Sequence, residues 1–406
     1  MVAVAAGLSA AGHEVRLVAT SVDDTDYRGL CRALQIPLQM VPERVGADLA
    51  SIARRAGGHV GSPRALRLLL EEAFDPHLAV MVDAARALVA TSDVVVGHFA
   101  AWFVRPLAEA AERPFAALVP WPGLIPTQAS PPGMLPPWSI LRRPGWTLFR
   151  ALVHLGFRGR VNAFLRRERL APVRSVLDDV VLSPRLNLVP TSPCLFPPPP
   201  DWAGRTLVTG CVSVPEAGEP APFSVALQAF LASGLPPVFL SLGSSEQIDP
   251  ARAGSLLVEA ARTCGRRAIV QLKSRRVVED RQEGDVLFVG RVRHASLFPR
   301  CAVVVHHGGA GTTQTVALAG VPSVVVPFVD EQRWWGRRLQ RAGAACAPLC
   351  YASATAPRLA AAIRDALDNA ALADGSQRLG RALRSEDGVT VTVRALERLV
   401  EGSRRG

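Results

Sequence analysis

Short apolar runs rich in β-branched residues alternate with amphipathic stretches of helical period along both halves of the chain. This alternation is typical of parallel sheets built from βαβ units. It predicts strands at 14–19, 38–41, 94–97, 115–119 and 186–189 in the first half, and at 238–242, 268–272, 286–289, 303–305 and 323–327 in the second. The predicted fold class is therefore α/β, with two Rossmann-like, doubly wound parallel-sheet domains.

The length of 406 residues suits two domains better than one hydrophobic core. Four consecutive prolines at 197–200 cannot join a helix or a central strand. The stretch 196–202, followed by the loose stretch 214–222, therefore predicts a semi-rigid connector. We predict a first domain over residues 1–200, a second over 201–385, and a C-terminal helix over 386–406 that crosses back to the first domain.

The start of the chain is unusual for such a fold. A helix over 2–11, closed by Gly12, precedes the first predicted strand, whereas a doubly wound sheet ordinarily opens on a strand that becomes central. The N-terminal domain is therefore predicted to lack its first strand and the loop after it. Two explanations stay open from the sequence: the natural start lies upstream, or that strand is absent from the protein.

Composition restricts the class of protein. Hydrophobic residues make up 49% of the chain and charged residues 20%, which excludes intrinsic disorder. No apolar run approaches the roughly 20 residues of a membrane-spanning helix, and no basic segment precedes an apolar one at the N-terminus. The seven cysteines are scattered without C-x-x-C spacing, so neither a zinc site nor a disulfide framework is predicted. These features predict a cytoplasmic protein.

The formal net charge of +11 comes from arginine rather than lysine and is typical of proteins with anionic partners. Nucleic acid is not predicted as a partner, because basic and aromatic residues are not interleaved in a recognisable binding module. The stretch 142–170 interleaves arginines with large apolar residues. An interfacial helix on anionic lipid has this pattern, and so has an amphipathic helix packed on its own domain. The second interpretation is favoured, and a peripheral membrane contact stays open.

The most informative stretch is 301–332, where a short apolar strand runs into the glycine-rich turn 306–313 and a helix closed by Gly320. A helix N-terminus presents unpaired N–H groups and the positive end of its dipole, which stabilise an anion by roughly 0.3 to 2 kcal/mol. The predicted phosphate contacts are the glycines Gly308, Gly309 and Gly311 and the donors His307, Thr312 and Thr313. The alternative is a tight structural turn with core histidines.

Two further polar segments follow apolar strands in the same half. The loop 241–245 contains Ser244, and the segment 327–332 contains Glu331 and Gln332. Open α/β sheets bind ligands beyond the carboxyl ends of their strands. Two such loops at one crevice suit a diphosphate, and Glu331 and Gln332 suit sugar hydroxyls.

Three segments of the second half, 290–301, 304–313 and 327–336, resemble the inverting, family 1 type glycosyltransferases of the GT-B fold. The likeness is to the bacterial branch related to sterol glucosyltransferases and to enzymes that decorate natural products. The resemblance implies two domains facing an interdomain cleft. It also implies transfer of a hexose from a UDP- or dTDP-sugar to a hydroxyl of a hydrophobic aglycone, with inversion and with neither a metal nor another cofactor.

The resemblance also assigns roles to individual positions. Within the site, His294 would pack against the nucleotide base, His307 and Thr312 would hold the diphosphate, and Glu331 and Gln332 would bind the donor sugar. The whole donor site implied in this way consists of Ser244, His294, His307, Gly308, Gly309, Gly311, Thr312, Thr313, Glu331 and Gln332.

The general base is harder to place. Members of the family carry a catalytic histidine or aspartate in the loop after the first strand, which would precede Met1. Within this chain His98, at the end of the predicted strand 94–97, is the candidate for acid/base or acceptor work. His13 is interpreted as structural. Asp24-Thr25-Asp26 spells the D-x-D pattern of metal-dependent glycosyltransferases, but its polar loop favours a turn or helix cap, so no metal site is predicted.

Trp121, Thr127 and the apolar stretch 131–138 predict an apolar wall for the acceptor, with packing as the alternative. Such a wall favours a polyketide, macrolide, terpenoid or sterol. Two other classes of function stay open. One is a non-catalytic glycosyltransferase-like binding or accessory protein, which the missing strand and loop suggest. The other is a nucleotide-sugar epimerase, which shares the two-domain architecture but would usually show more acidic catalytic pairs.

Overall fold

The computed structural model describes residues 1–22, 25–57, 62–135, 138–214, 223–273 and 279–404. The chain divides into two compact units. The first contains Met1–Val45, Asp75–Ala217 and Glu386–Gly406, and the second contains Gly46–Phe74 and Gly218–Ser385. The predicted division at residue 200 therefore differs from the structure at two places: Gly46–Phe74 belongs to the second unit, and the first unit continues to Ala217.

The described residues form strands and α-helices in alternation. The strands are β1 (Leu17–Ala19), β2 (Leu38–Met40), β3 (Val95–His98), β4 (Phe115–Leu118), β5 (Leu186–Val189), β6 (Thr206–Val208), β7 (Val238–Leu240), β8 (Ala268–Gln271), β9 (Arg281–Glu283), β10 (Val286–Val289), β11 (Val303–His306) and β12 (Ser323–Val325). The helices are α1 (Val2–Ala10), α2 (Arg28–Ala33), α3 (Leu49–Arg55), α4 (Pro63–Leu69), α5 (Leu78–Ala90), α6 (Val104–Ala110), α7 (Arg142–Arg167), α8 (Val225–Ala232), α9 (Pro250–Thr263), α10 (His294–Leu297), α11 (Ala310–Ala319), α12 (Asp330–Arg341), α13 (Ala356–Asp368), α14 (Ala370–Arg384) and α15 (Gly388–Arg404). Among these helices none is long and apolar enough to cross a membrane.

The strands of the first unit form two parallel sheets. β1 pairs with β2, and a second sheet has the order β3-β4-β5-β6. Helices α1 and α15 pack on the second sheet, where Val4 and Leu396 join Leu188 of β5 in one buried cluster. The two helices approach closely at Gly7, because a Cβ there would lie 2.2 Å from Cγ1 of Val389.

The second unit contains one sheet with the order β12-β11-β7-β8-β10-β9, in which only the edge strand β9 runs antiparallel among the described strands. From β7 the chain builds outward through β8 to β10, then returns to the other side of β7 with β11 and β12. The strand order reverses between β7 and β11, which is the topological switch point of a doubly wound sheet.

The core of the second unit explains why its strands read as continuous apolar runs. Leu240 of β7 and Val305 of β11 are wholly buried with Leu257 of α9 and Ile363 of α13 in one cluster. Strands covered on both faces contain few polar residues. The predicted α/β fold class is confirmed, and every predicted strand overlaps a strand of the structure.

Two strands and the connector differ from the prediction. β6, a short strand that reads Thr-Leu-Val, was not predicted, and the edge strand β9 reads Arg-Gln-Glu, so it gives no apolar signal. Phe196 and Trp202, at the ends of the proline-rich stretch, are buried with ring centroids 5.3 Å apart, and Trp202 Nε1 donates to the Pro126 carbonyl. That stretch is therefore packed into the first unit and is not the connector. The predicted loose stretch lies, apart from Val214, outside the described residues.

Candidate functional site

The carboxyl ends of β7 and β11 lie side by side at the switch point of the sheet in the second unit. The loop that begins at Ser241 follows β7, and the glycine turn after His306 follows β11. The two loops touch, because a Cβ on Gly243 would lie 2.9 Å from Cε1 of His307. The structure therefore brings the predicted loop of Ser244 and the predicted glycine turn to one edge of the sheet.

The glycine turn depends on close backbone packing. Gly308 has a φ of +91°, which side-chain-bearing residues rarely adopt, and a Cβ there would lie 2.6 Å from the Gln332 carbonyl oxygen. Gly309 is the N-cap of α11 and has an extended backbone. At Gly311 a Cβ would meet nothing within 4 Å. The turn is therefore packed on its inner side and open at Gly311.

The first turn of α11 forms an open set of donors. The first intrahelical hydrogen bond runs from the Thr313 N–H to the Gly309 carbonyl, at 2.9 Å. The N–H groups of residues 310–312 therefore point out of the helix, with the positive end of its dipole behind them. Thr312 is half-buried, whereas Thr313 is wholly buried and its hydroxyl has no hydrogen-bond partner within the described part of the chain. Thr312 is thus the threonine at the mouth of the site.

The two histidines of the turn have different environments. His306 is buried, and its Nδ1 accepts a hydrogen bond from the Gly308 N–H at 3.1 Å, which fixes the turn. His307 lies between two glycines: a Cβ on Gly309 would stand 2.5 Å from its Nε2, and one on Gly243 would stand 3.2 Å from its Nδ1. Burial, followed by the charges of Lys273 and His294, lowers the pKa of His307 to about 4. The His307 imidazole is therefore neutral at pH 7, with a single N–H to donate.

The loop after β7 is tied to α12 by side-chain hydrogen bonds. The Gln332 Nε2 group donates to Ser245 Oγ at 3.0 Å, and Gln332 Oε1 accepts from the Phe328 N–H at 2.8 Å. Both the Oε1 and the Nε2 atom of Gln332, a predicted sugar contact, therefore hold loops of the protein together. One N–H of its Nε2 group takes no part in these two hydrogen bonds. Ser244, next to Ser245, is half-buried. Burial raises the pKa of Glu331, the other predicted sugar contact.

His294 opens α10 and is oriented by its neighbours. Its ring stacks on Phe298 with centroids 4.7 Å apart. The Gln271 Nε2 group donates to the Gly290 carbonyl at 2.6 Å, so Gln271 Oε1 faces His294 Nε2 at 2.9 Å and accepts from it. This places the proton of the neutral imidazole on Nε2. Burial, with Lys273 as a second cause, lowers the pKa of His294 to about 4.

Three residues at this edge were missed from the sequence. Gln271 ends β8, the neighbour of β7, Lys273 follows that strand, and Glu246 lies in the loop after β7. The wholly buried Glu246 accepts the Lys273 N–H at 2.9 Å. Lys273 is the only lysine in the sequence. The rule that parallel strands end at one edge, applied to β8, would have found this cation.

The first unit holds the predicted catalytic histidine. His98 ends β3, its Nδ1 accepts the Ala100 N–H at 3.3 Å, and its ring lies 4.6 Å from that of Phe99. Burial lowers the pKa of His98 to about 4, followed by the effect of the chain's amino group. His98 is therefore neutral at pH 7 and is a weak base.

The two predicted acceptor residues are engaged in packing. Trp121 is buried against Gly123, where a Cβ would stand 2.7 Å from the indole Nε1. The buried Thr127 hydroxyl donates to Asp201 Oδ1 at 2.7 Å and accepts the Ala129 N–H at 3.0 Å. Both side chains are therefore held by contacts within the first unit, and their place in an apolar acceptor wall stays a prediction.

Two minor predictions also have structural outcomes. His13 Nε2 lies 3.0 Å from Glu397 Oε1, which gives it a partner on α15 as a structural histidine. Asp26 Oδ1 accepts the Arg28 N–H at 2.9 Å, at the start of α2. Asp24, the other carboxylate of the D-x-D pattern, lies outside the described residues.

Comparison with known proteins gives one family match and several relatives. The family profile described as erythromycin biosynthesis protein CIII-like, C-terminal domain, matches residues 257–399. O-mycaminosyltylonolide 6-deoxyallosyltransferase of Streptomyces fradiae is 39% identical over 234 residues, which are 57% of this chain and 54% of that protein. Glycosyltransferase GtfC of Amycolatopsis orientalis is 30% identical over 350 residues, which are 84% of this chain and 81% of that protein.

Solved structures share the fold over nearly the whole chain. The glycotransferase of kitacinnamycin superposes with a TM-score of 0.68 at 20% identity, covering 98% of this chain and 94% of that one. The spinosyn rhamnosyltransferase SpnG, complexed with thymidine diphosphate, gives a TM-score of 0.62 at 18% identity, covering 98% and 95%. Two units with parallel sheets and these neighbours define a GT-B fold.

The chain belongs to the family 1 glycosyltransferases, as its identity to GtfC over most of both sequences establishes. It spans 54% of the length of the Streptomyces fradiae relative and 48% of the length of a sterol 3-beta-glucosyltransferase of Arabidopsis thaliana.

Proposed function

We propose that this protein transfers a hexose from a UDP- or dTDP-sugar to a hydroxyl of a hydrophobic aglycone, with inversion and without a metal. One observation carries the proposal: the open N-terminus of α11 and its glycine turn lie against the loop of Ser244, with the neutral His307 held between them. A helix terminus that meets a second loop at a switch point is a binding site for a diphosphate.

In this proposal backbone N–H groups, side chains and one lysine charge together bind the nucleotide-sugar donor. The N–H groups of residues 310–312 and the hydroxyl of Thr312 bind the diphosphate oxygens, and His307 donates its single N–H to the same group. Lys273 adds a positive charge near His294 and His307. The His294 ring, fixed in plane by Phe298 and in tautomer by Gln271, faces the nucleotide base. Glu331 and the remaining N–H of Gln332 bind hydroxyls of the sugar.

The names of the relatives support an apolar acceptor and a nucleoside diphosphate donor. SpnG is described in one structure with thymidine diphosphate and in another with spinosyn aglycone. Other relatives are named as an O-mycaminosyltylonolide 6-deoxyallosyltransferase and a sterol 3-beta-glucosyltransferase. We infer an acceptor of the same chemistry for this chain, a large apolar molecule with a free hydroxyl.

In the proposed step the acceptor oxygen attacks the anomeric carbon from the face opposite the diphosphate. The bond between that carbon and the diphosphate oxygen breaks, and the electron pair leaves with the diphosphate, while the acceptor proton passes to a base. Negative charge therefore grows on the diphosphate. The N–H groups of α11 are already directed there, so they stabilise the transition state without reorganisation.

His98 contributes on the acceptor side in this proposal. With Nδ1 accepting from Ala100, its proton resides on Nε2, so His98 donates a hydrogen bond more readily than it takes a proton. The low pKa of His98 also favours a role as hydrogen-bond donor over a role as base. We infer that His98 positions the acceptor hydroxyl and that its exchange for glutamine lowers turnover while donor binding is kept.

Donor binding is tested by thermal denaturation with UDP and with dTDP. At a ligand concentration about 100 times the Kd, stabilisation of about 2.7 kcal/mol raises the Tm by several degrees. His307→Ala abolishes this increase, because it removes the donor between the two loops. His13→Ala, which loses only its contact with Glu397 on the first unit, keeps it. A wild-type protein whose Tm responds to neither nucleotide would contradict the donor assignment.

Transfer is tested with a panel of UDP- and dTDP-sugars against macrolide, polyketide, terpenoid and sterol acceptors. The expected product has the inverted anomeric configuration by NMR, at the same rate with EDTA present, and His98→Gln lowers its rate of formation. A protein that binds the donor but yields no product with any acceptor would favour the accessory-protein alternative. Conversion of the donor sugar in the absence of an acceptor would favour the epimerase.

A further inference from the structure

Helix α7 has two apolar faces. Trp146 and Phe149 are buried in the first unit, so the interpretation that this helix packs on its own domain is confirmed. On the opposite face, Leu148, Leu152 and Leu155 are 55%, 57% and 62% exposed. Their spacing of four and three residues places them in one row along the helix. The helix therefore packs on its own unit and, among the residues that the structure describes, still presents an apolar face that nothing covers.

Two more large apolar residues are exposed just before the helix. Trp138 precedes the short turn that leads into α7 and Ile140 lies within that turn, and they are 64% and 79% exposed. We call Trp138, Ile140, Leu148, Leu152 and Leu155 the apolar row. Single exposed apolar residues are ordinary on protein surfaces, but several large ones in one short segment point to an interaction site. Tryptophan in particular is enriched where a surface meets the headgroup region of a membrane.

The charge around the apolar row has one sign. Residues 142–167 include seven arginines and no aspartate or glutamate. Arg150 pairs with Asp178 at 2.9 Å and Arg160 pairs with Asp75 at 2.6 Å. Five further arginines of the helix are exposed: Arg142, Arg143, Arg158, Arg166 and Arg167. The row is therefore accompanied along the helix by arginines that form no ion pair within the described ranges of the chain.

This charge decides which partner fits. A second copy of the chain, packed row to row, would bring two sets of arginines together, and like charges at close range repel. An anionic surface, by contrast, attracts all the arginines of the helix. The apolar row also lies on a single helix and the turn before it. Such a narrow surface suits a fluid membrane, which needs no matching groove. We propose that the apolar row binds an anionic lipid surface, with α7 lying in the membrane interface.

The proposal is tested by co-sedimentation of the full chain with lipid vesicles. The protein is expected to sediment with vesicles of equal parts phosphatidylcholine and phosphatidylglycerol and to stay in solution with phosphatidylcholine alone. Binding at about 0.1 M salt should weaken strongly at about 1 M, where charges are screened within about 3 Å. Equal binding to both vesicles, or no binding to either, would overturn the proposal.

Two matched pairs of variants separate the apolar row from general properties of the surface. Leu148→Gln with Leu152→Gln and Leu155→Gln should lower the partition coefficient at least about tenfold. Leu235→Gln, at a leucine that is 65% exposed in the second unit, should leave it unchanged. Arg143→Gln with Arg158→Gln should lower it roughly tenfold or more. Arg378→Gln with Arg381→Gln, exposed on α14, removes the same net charge and should have little effect.

Light scattering of the protein without lipid distinguishes the other occupants. The wild type is expected to have the same mass as the triple leucine variant, and both should have the same Tm, since the exchanged side chains are exposed. A dimer that becomes monomeric on exchange of Leu152 would overturn the proposal in favour of a second copy. Loss of vesicle binding in the α14 variant to the same degree as in the α7 variant would overturn it as well, because net charge alone would then explain binding.

Discussion

Gly308 and Gly311 lie in the same turn, but different constraints favour glycine at the two positions. At Gly308 both the positive φ and the Gln332 carbonyl oxygen, 2.6 Å from a Cβ, exclude a side chain. At Gly311 the fold imposes neither of these constraints: its φ is not positive, and a Cβ there would meet nothing within 4 Å. The space beside Gly311 lies at the open turn of α11, where the diphosphate is proposed to bind. The first glycine therefore serves the fold, and we propose that the second serves the ligand.

Exchange of these two glycines for alanine should have opposite effects. Gly308→Ala is expected to lower the free energy of unfolding by about 3 kcal/mol, from backbone strain and the overlap with the carbonyl. Gly311→Ala should leave it unchanged or raise it by up to about 1 kcal/mol, because alanine favours the helix. The Gly311 variant should nevertheless lose the increase in Tm with UDP or dTDP. Urea unfolding and thermal denaturation measure both effects, and a Gly308 variant as stable as the wild type would refute the first.

The residues of the site differ in how far the sequence reveals them. His307 was predictable, because it directly precedes a glycine turn at the end of a strand. The hydrogen bond of Gln332 to Ser245 and the burial of Thr313 were not, because they depend on how α11 and α12 pack. Gln271 was missed because its importance comes from His294, which is distant in sequence and adjacent only in the fold.

Among the elements, α1 and α15 show how two helices far apart in the sequence pack against each other in one unit. Gly7 of α1 faces Val389 of α15, and both helices cover the sheet that contains Leu188. The closeness of the helices depends on the missing side chain at Gly7. Because valine has a stiff, β-branched side chain, it cannot easily turn away from an added methyl group.

Gly7→Ala should therefore lower the free energy of unfolding of the first unit by about 1 to 3 kcal/mol, the usual effect of overpacking. Val389→Ala in the same chain should recover most of this loss, since it removes the atom that the new Cβ would meet. Gly29→Ala, where a Cβ would meet nothing within 4 Å, is the matched control. Urea unfolding of the wild type, Gly7→Ala, Val389→Ala and the double variant gives the coupling energy between the two positions. Additive losses would indicate that the two helices do not meet as described.

For the whole molecule, buried histidines link stability to pH. Burial lowers the pKa of His98, His294 and His307 to about 4 and that of His306 to about 3. In the unfolded chain these groups titrate near 6.5. Each folded histidine is therefore neutral where the unfolded chain binds a proton. Their contribution to stability is complete above about pH 6.5 and is lost as the pH falls toward 4.

The free energy of unfolding should fall between pH 7.5 and pH 5, by an amount on the order of 1 kcal/mol for each buried histidine. Glu331 acts in the opposite direction, because burial raises its pKa. Urea unfolding at several pH values in this window measures the slope, above the range where ordinary carboxylates titrate. His307→Gln should make the slope shallower than in the wild type. An identical slope in the two proteins would contradict the low pKa of His307 in the folded state.

The sequence by itself determined the α/β class, most of the strand positions and the glycine-rich turn after β11, because β-branched runs, glycine spacing and helix termini act within a few residues. Only the tertiary structure decided that Gly46–Phe74 belongs to the second unit and that the proline-rich stretch before Trp202 packs into the first. It also decided which face of α7 is covered and which row of leucines is left exposed. These outcomes depend on contacts between segments far apart in the chain, and local periodicity does not encode such contacts.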